Sequence, residues 1–148
     1  MLRKFSSLAK HAEKYKTLSV SVGSNNVAKI LIDRPEKMNA MNWTMWEELK
    51  DSFDVVNKDP NVRCIILGST SNHFSTGMDL SVFSDLFQAH KKEKCPGRAR
   101  ENLEKTINFF QSTCTGAEAC NVPVLCAIDG NAIGGAVDLL TACCLRYC

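Results

Sequence analysis

Features that would place the sequence in several common classes of protein are missing from it. No stretch is both long enough and apolar enough to span a membrane, and no low-complexity segment or obvious linker divides the chain. The formal net charge of +2 is not the balance expected of a nucleic-acid-binding protein. With 148 residues, 45% of them hydrophobic, the sequence suits one domain with a sizeable core.

Metal-binding patterns are also missing, although cysteine is abundant. None of the eight cysteines belongs to a Cys-x-x-Cys pair, and the three histidines are scattered along the chain. A zinc site is therefore not expected. Cys64 and Cys126 lie within apolar runs and are typical of small buried residues. Free thiols in a reducing, intracellular setting are the simplest interpretation, and a secreted disulfide framework is the alternative.

Basic residues are concentrated at the start of the chain. Residues 1–16 contain five lysines or arginines and one acid, Glu13, whereas the remainder has 13 basic and 15 acidic residues. This composition is typical of a mitochondrial targeting peptide, and a disordered basic tail is an equally good interpretation. Residues 17–148 are expected to form the folded domain. The C-terminal residues 146–148 do not form a peroxisomal Ser-Lys-Leu address.

The order of apolar patterns predicts a mixed α/β fold. Residues 18–22 and 27–32 are β-rich runs separated by a Gly-Ser-Asn-Asn turn, which indicates a hairpin. A helix capped by Asn42 follows, and single strands that each lead into a helix come next. The elements predicted after the hairpin are a helix at 43–58, a strand at 62–67, helices at 80–90 and 98–113 joined by a basic loop at 91–100, a strand at 122–128 and a helix at 136–143.

Apolar residues at helical spacing predict one apolar side on each of the first three helices, and the apolar side of the third helix is expected to face inward. These residues are Trp43, Trp46, Leu49, Phe53 and Val56 in the first helix, Leu80, Phe83, Leu86 and Phe87 in the second, and Leu103, Ile107 and Phe110 in the third. The two tryptophans are therefore expected in the core rather than in a cofactor site. The basic loop could meet phosphate groups, but a solvated connection is the favoured interpretation.

The segment 126–144 carries the clearest functional pattern. It begins as the end of a strand and passes the pair Gly134-Gly135 before a helix begins. Glycines there let another group approach the backbone, and the first N–H groups of the helix point into that space. Asp138 adds a carboxylate that can move a proton. The alternative is an ordinary strand–turn–helix corner in which Asp138 only complements the helix dipole.

Two further segments, taken with this one, resemble the motifs of a known family. Residues 62–80 again combine a strand, a polar turn, a glycine and a helix, and residues 32–41 form an early loop. In this order and spacing, the three segments resemble the enoyl-CoA hydratase/isomerase, or crotonase, family. The resemblance implies an α/β fold built as a spiral of ββα units. It also implies that the backbone N–H groups of Met78 and Gly135 bind the thioester oxygen of an acyl-CoA.

The same resemblance implies a substrate site and its ligand. Its substrate-contacting residues would be Lys37, Ala40, Thr76, Gly77, Met78, Asp79, Leu80 and Gly135. Coenzyme A would be part of the substrate, and the reaction would need neither a metal ion nor another cofactor. The expected partner is therefore an acyl-CoA.

Within the family, the sequence is most similar to the dienoyl-CoA isomerases. These carry Asp where hydratases usually carry Glu, in a run much like residues 134–140, and residues 34–42 with Trp46 favour the same group. The resemblance implies conversion of 3,5-dienoyl-CoA to 2,4-dienoyl-CoA in fatty acid β-oxidation, with Asp138 as one acid/base group. A hydratase acting on 2-enoyl-CoA is the alternative. A mitochondrial location is implied, with the peroxisome as the alternative.

The sequence departs from the family pattern in two ways. Cys144 stands where the family usually has Asp, which affects local packing more than chemistry. The sequence also stops where the family continues with helices that close the site, build a homotrimer or hexamer and supply a second catalytic acid. We therefore expect a fold truncated before its C-terminal helical part and no turnover from residues 1–148 alone. A non-catalytic fragment that only binds a partner is the third interpretation.

Overall fold

A five-stranded sheet lies at the centre of the fold. The computed structural model describes residues 13–148, so residues 1–12 of the predicted targeting segment lie outside the described residues. The order of strands in the sheet follows the chain, with an antiparallel hairpin first and parallel pairing afterwards. The strands are β1 (Leu18–Val22), β2 (Val27–Ile32), β3 (Cys64–Ser69), β4 (Val124–Ala127) and β5 (Leu145–Tyr147).

Helical crossovers join the parallel strands, because each strand must start again at the edge of the sheet where the previous one began. A short 3-10 turn, Pro35–Lys37, precedes the first of them. The helices are α1 (Trp43–Asn57) between β2 and β3, α2 (Leu80–Lys92) and α3 (Pro96–Glu118) between β3 and β4, and α4 (Gly135–Thr141) between β4 and β5. The predicted order of a hairpin and a helix followed by strand–helix units is confirmed.

Helix α1 forms where the sequence predicts it. The Asn42 side chain accepts a hydrogen bond from Met45 N at 3.0 Å, which satisfies one of the free N–H groups of the first turn. Trp43 is half-buried and stacks on Phe110 of α3, with 5.3 Å between ring centroids. The rest of the predicted apolar face is buried in the core: Trp46, Leu49, Phe53 and Val56.

The connection between α2 and α3 differs from the prediction. The basic segment 91–100 is not a loop, because α2 continues to Lys92 and α3 begins at Pro96. Only residues 93–95 lie between the two helices. Proline suits the first turn of a helix, since the N–H that it lacks would have no partner within the helix there.

The apolar sides predicted for α2 and α3 are largely exposed to solvent. Leu80 of α2 is 81% exposed. Leu103 and Ile107 of α3 are each 45% exposed, so the prediction that these two residues face inward is wrong. For α3 the reason is geometric. Helix α1 begins at Trp43, which packs beside Phe109, so the part of α3 before this contact extends past α1.

Three observations bear on the predictions about disulfides, metal binding and membrane spans. All eight thiols are free, with Cys126 buried and Cys64 half-buried. No group of three or more His, Cys, Asp or Glu within residues 13–148 could hold a metal ion. None of the helices in that range has the length and apolar composition needed to cross a membrane.

A buried carboxylate on α1 holds the start of β1 in place. Glu48 accepts hydrogen bonds from Lys16 N at 2.7 Å, Thr17 N at 2.9 Å and Thr17 Oγ1 at 2.6 Å. Its side chain and that of Thr17 are both buried. Hydrogen bonds to a charged acceptor are stronger than those between neutral groups, so this contact fastens the hairpin to the first helix.

Replacing Glu48 by Gln is expected to lower the free energy of unfolding by about 1–3 kcal/mol. The amide keeps the size of the side chain but places an NH₂ group opposite backbone donors. Urea unfolding followed by circular dichroism measures the change. The exposed neighbour Glu47→Gln is the matched control and should have little effect. Equal transition midpoints for the two variants would show that the Glu48 contacts contribute no net stability.

Candidate active site

The two glycine-containing segments that follow β3 and β4 lie side by side. Ser75 and Ala132 form a parallel bridge, in which Ser75 N donates to Asn131 O and Ile133 N donates to Ser75 O, each at 3.0 Å. Because β3 and β4 are adjacent parallel strands, their carboxyl ends meet at the same edge of the sheet. The predicted association of the two segments is therefore present in the fold.

Glycine is required where these segments cross. Gly77 has a φ of +88°, and a Cβ there would lie 2.5 Å from Ile133 O and 3.4 Å from Gly135 N. Gly130 has a φ of +62°, and a Cβ there would overlap Asn72 O. Both positions thus combine a left-handed backbone with a close backbone neighbour, which only glycine accommodates without strain.

The early loop joins the same crossing. Met41 and Met78 form a parallel bridge, with Met41 N donating to Gly77 O at 2.7 Å and Asp79 N donating to Met41 O at 3.0 Å. Thr76 N also donates to the loop, to Met38 O at 3.2 Å. All three segments singled out from the sequence therefore meet at one place.

Two backbone N–H groups at this place have no acceptor. Among the backbone hydrogen bonds of residues 13–148, neither Met78 N nor Gly135 N is a donor. The Gly77 carbonyl, which shares a peptide plane with Met78 N–H, accepts from Met41, and the Gly134 carbonyl accepts from Val137 N at 2.8 Å. Because C=O and N–H point in opposite directions across a trans peptide, both N–H groups are directed away from these contacts. We call them the donor pair.

The donor pair borders a cavity of about 800 Å³. The cavity lies between the crossing, α1, α2, α3 and α4. Its lining residues are Trp46, Thr76, Met78, Phe83, Phe110, Gln111, Cys114, Thr115, Gly134, Gly135 and Asp138. A space of this size is large enough for a small-molecule ligand.

Asp138 lies on α4 one turn from Gly135 and lines the same cavity. Its side chain is exposed and also lines a second, more open concavity of about 510 Å³, together with Glu118, Thr141 and Cys144. The carboxylate is therefore accessible from two sides. An accessible carboxylate beside unpaired N–H groups can exchange a proton with a ligand that the donors hold.

Several residues that line the cavity had no site assignment from the sequence. Trp46, predicted as a core residue, is buried but borders the cavity, and a Cβ on Gly135 would lie 3.3 Å from its Cζ2 atom. Cys114 and Gln111 of α3 also line the cavity. Burial, with the nearby charge of Asp138, raises the pKa of the Cys114 thiol to about 11. This thiol is therefore protonated at neutral pH.

Three of the predicted substrate-contacting residues border the cavity, namely Thr76, Met78 and Gly135. Gly77 is buried in the crossing, where its carbonyl accepts from Met41. Its role in the described fold is to allow the close backbone approach.

The other predicted contacts lie outside the cavity wall. Lys37 is exposed at the end of the 3-10 turn, Ala40 is half-buried in the loop that follows, and Leu80 is exposed at the start of α2. Asp79 caps α2 by accepting from Ser81 N at 3.0 Å. An ion pair with Arg34 and this cap hold the pKa of the Asp79 carboxyl at about 2.

Sequence comparison identifies relatives over most of the chain. Residues 23–148 match the enoyl-CoA hydratase/isomerase family. The mitochondrial Delta(3,5)-Delta(2,4)-dienoyl-CoA isomerase of Rattus norvegicus is 35% identical over 158 aligned positions, which cover 99% of this chain and 48% of that protein. The peroxisomal Delta(3,5)-Delta(2,4)-dienoyl-CoA isomerase of Arabidopsis thaliana is 36% identical, over 92% of this chain and 50% of that protein.

Solved structures share the fold. An enoyl-CoA hydratase from Shewanella pealeana superposes with a TM-score of 0.81 at 20% identity, over 96% of this chain and 50% of that one. An enoyl-CoA hydratase from Bacillus anthracis superposes with a TM-score of 0.72 at 26% identity, over 88% and 46%. The chain spans about half the length of the curated relatives it matches. The match over residues 23–148, together with the shared fold, shows that the chain belongs to the enoyl-CoA hydratase/isomerase family.

Proposed function

We propose that this chain forms the thioester-binding half of an acyl-CoA isomerase that converts 3,5-dienoyl-CoA to 2,4-dienoyl-CoA. The observation that carries the proposal is the donor pair, two unpaired N–H groups beside one cavity that Asp138 also lines. Two unpaired N–H groups beside a bound carbonyl can stabilise the negative charge that its oxygen gains during a reaction. A thioester carbonyl gains such charge when a neighbouring carbon loses a proton.

The chemistry follows from this placement. The carbonyl oxygen of the thioester accepts hydrogen bonds from Met78 N–H and Gly135 N–H. Removal of a proton from the carbon next to the carbonyl forms an enolate, and the donor pair stabilises its charge. A proton added at the far end of the conjugated system completes the shift of the double bonds. Asp138 serves one of these two proton transfers, and a second acid outside residues 1–148 serves the other.

No separate cofactor has a part in this scheme. The thioester itself acidifies the neighbouring carbon, and coenzyme A belongs to the substrate. The aromatic side chains of Trp46, Phe83 and Phe110 line the cavity and offer apolar surface to the acyl chain. A homotrimer or hexamer remains the prediction for the complete enzyme. A mitochondrial location, with the peroxisome as the alternative, is supported by the named locations of the rat and Arabidopsis relatives.

A hydratase is the second candidate function, because the family includes both activities and the chain superposes on hydratases. Asp138 favours the isomerase, since the isomerase group of the family carries Asp at this place. A protein that binds acyl-CoA without turning it over is the third candidate. It would use the same donor pair and no second acid.

Binding to residues 1–148 tests the thioester site directly. An acyl-CoA thioester is compared with its S-alkyl thioether analogue, which keeps the coenzyme and chain but lacks the carbonyl oxygen. Two hydrogen bonds to that oxygen predict about 5- to 100-fold tighter binding of the thioester, measured by calorimetry. Equal affinities would refute the proposed site.

Turnover is tested in a chimera that joins residues 1–148 to the part of the rat isomerase that this chain does not match, hereafter the rat chimera. We expect it to convert 3,5-dienoyl-CoA, followed by the absorbance of the conjugated product. Residues 1–148 alone are expected to show no turnover. Faster hydration of 2-enoyl-CoA than isomerisation of the diene would favour the hydratase instead. Thioester-specific binding without turnover of either substrate would favour the binding protein.

A further inference from the structure

Ser75 contacts all three segments that meet at the candidate site. Its side chain is completely buried. The hydroxyl donates to Asn39 O at 2.7 Å and accepts from Gly77 N at 3.1 Å. Its backbone N–H and C=O bind Asn131 O and Ile133 N, each at 3.0 Å. One residue therefore links the early loop, the Met78 segment and the Gly135 segment.

These contacts control the orientation of the donor pair. Gly77 N donates to the Ser75 hydroxyl, and the Gly77 carbonyl accepts from Met41 N. Because this carbonyl shares a peptide plane with Met78 N–H, the two hydrogen bonds prevent that peptide from turning freely. The backbone of Ser75 fixes Ile133, two positions before Gly135. The distance between the two donors thus depends on the position of Ser75.

No neighbouring side chain can easily replace the hydroxyl. The Asn39 side chain accepts from Arg34 N at 2.8 Å and donates to His73 O at 2.8 Å. Its amide oxygen and its amide nitrogen therefore already have hydrogen-bond partners. Without the hydroxyl, Gly77 N and Asn39 O would become unpaired in a buried place. Buried unpaired groups drive the backbone to rearrange.

We propose that Ser75 is a positioning residue that sets the spacing of the donor pair, so that one carbonyl oxygen can accept both hydrogen bonds. This role rests on the proposed thioester site. It concerns the carbonyl oxygen alone and leaves the remaining contacts to coenzyme A and the acyl chain unchanged.

The test compares thioester and thioether binding to residues 1–148 carrying Ser75→Ala. We expect the thioester preference, defined as the ratio of the two dissociation constants, to fall about 3- to 10-fold, since the net value of a hydrogen bond to the carbonyl is lost. The affinity for the thioether should stay unchanged. Ser71→Ala is the matched control, because the Ser71 hydroxyl accepts from the Asn39 side chain and donates to His73 O but bonds neither Gly77 nor the Gly135 segment. It should keep the full preference.

A second variant covers the case in which Ser75→Ala does not fold. Ser75→Cys keeps nearly the same size but is a weaker donor and acceptor, so a smaller loss of preference is expected. In the unchanged chain, the amide NMR signals of Met78 and Gly135 should shift on adding the thioester but not the thioether. In the Cys variant these thioester-induced shifts should be reduced.

The possible failures are distinguishable. No thioester preference in the unchanged chain overturns the proposed function and this inference with it. An undiminished preference in a folded Ala variant, or in the Cys variant where the Ala variant does not fold, overturns only the role of Ser75. Equal weakening of thioester and thioether binding by Ser75→Ala also overturns it, because that outcome indicates a general structural role.

Discussion

Replacing Asp138 by Asn in the rat chimera is expected to lower kcat about 100- to 10,000-fold, the usual contribution of a positioned acid or base. The amide keeps the shape of the side chain but can neither take nor give the proton. The donor pair consists of backbone groups and does not depend on this charge. Affinity for the thioester should therefore stay close to its starting value.

A purely structural role for Asp138 predicts a different result. Asp138 lies in the first turn of α4, where a negative charge complements the helix dipole. Loss of that interaction costs about 0.3–1 kcal/mol of stability and leaves activity almost unchanged. Measuring kcat, thioester affinity and melting temperature on one variant separates the two roles.

Asp129→Asn is the matched control for this experiment. Asp129 is an exposed carboxylate in the loop after β4, on the same segment as Asp138 but outside the cavity lining. It should leave kcat unchanged. Near-normal turnover of the Asp138 variant would show that this carboxylate has no part in the proposed mechanism. The conclusion that the chain belongs to the enoyl-CoA hydratase/isomerase family would not be affected.

Local pattern was sufficient to predict the hairpin and α1. The turn between β1 and β2 contains Gly23 and Asn26, and Asn26 adopts the left-handed conformation that asparagine tolerates. Helix α1 combines a side-chain cap at Asn42 with a regular apolar face. In both elements, short-range preference and burial favour the same structure.

Long-range pairing determined what the local pattern could not. The apolar run predicted a strand at 62–67, yet β3 begins at Cys64 and continues through Ser69, because Gly68 and Ser69 pair with the end of β2. Similarly, the spacing of Leu103 and Ile107 indicates a shared helix face but not whether another element covers it. Pairing and coverage depend on residues far away in the sequence.

The residues of the site also divide into those that local pattern indicates and those that only the fold brings together. The glycine pair, Met78 and Asp138 belong to segments with recognisable patterns, and the fold brings these segments together. Ser75 and Cys114 gave no signal, since one stands in a polar turn and the other in an ordinary helical stretch. Their places in the site depend on the crossing of two loops and on the rotation of α3 against α1. The catalytic and binding roles of all these residues remain predictions.

Met78→Pro in the rat chimera is expected to lower kcat about 100- to 1,000-fold, the usual effect of losing one oxyanion donor. Proline removes the N–H of residue 78 and leaves the neighbouring Asp79 N–H free to bond Met41. Met78→Ala is the matched control, since it keeps the N–H and changes only the side chain. It should leave kcat almost unchanged.

The thioether analogue separates loss of the donor from damage to the loop. Proline can strain the Gly77 backbone, and a distorted loop would weaken binding of thioether and thioester alike. A specific loss of the donor instead weakens only the interaction with the carbonyl oxygen, so thioether affinity and melting temperature should be retained. If Met78→Ala were as inactive as Met78→Pro while both variants stayed folded, the side chain rather than the backbone would be the functional group, and Met78 N–H would have no place in the donor pair.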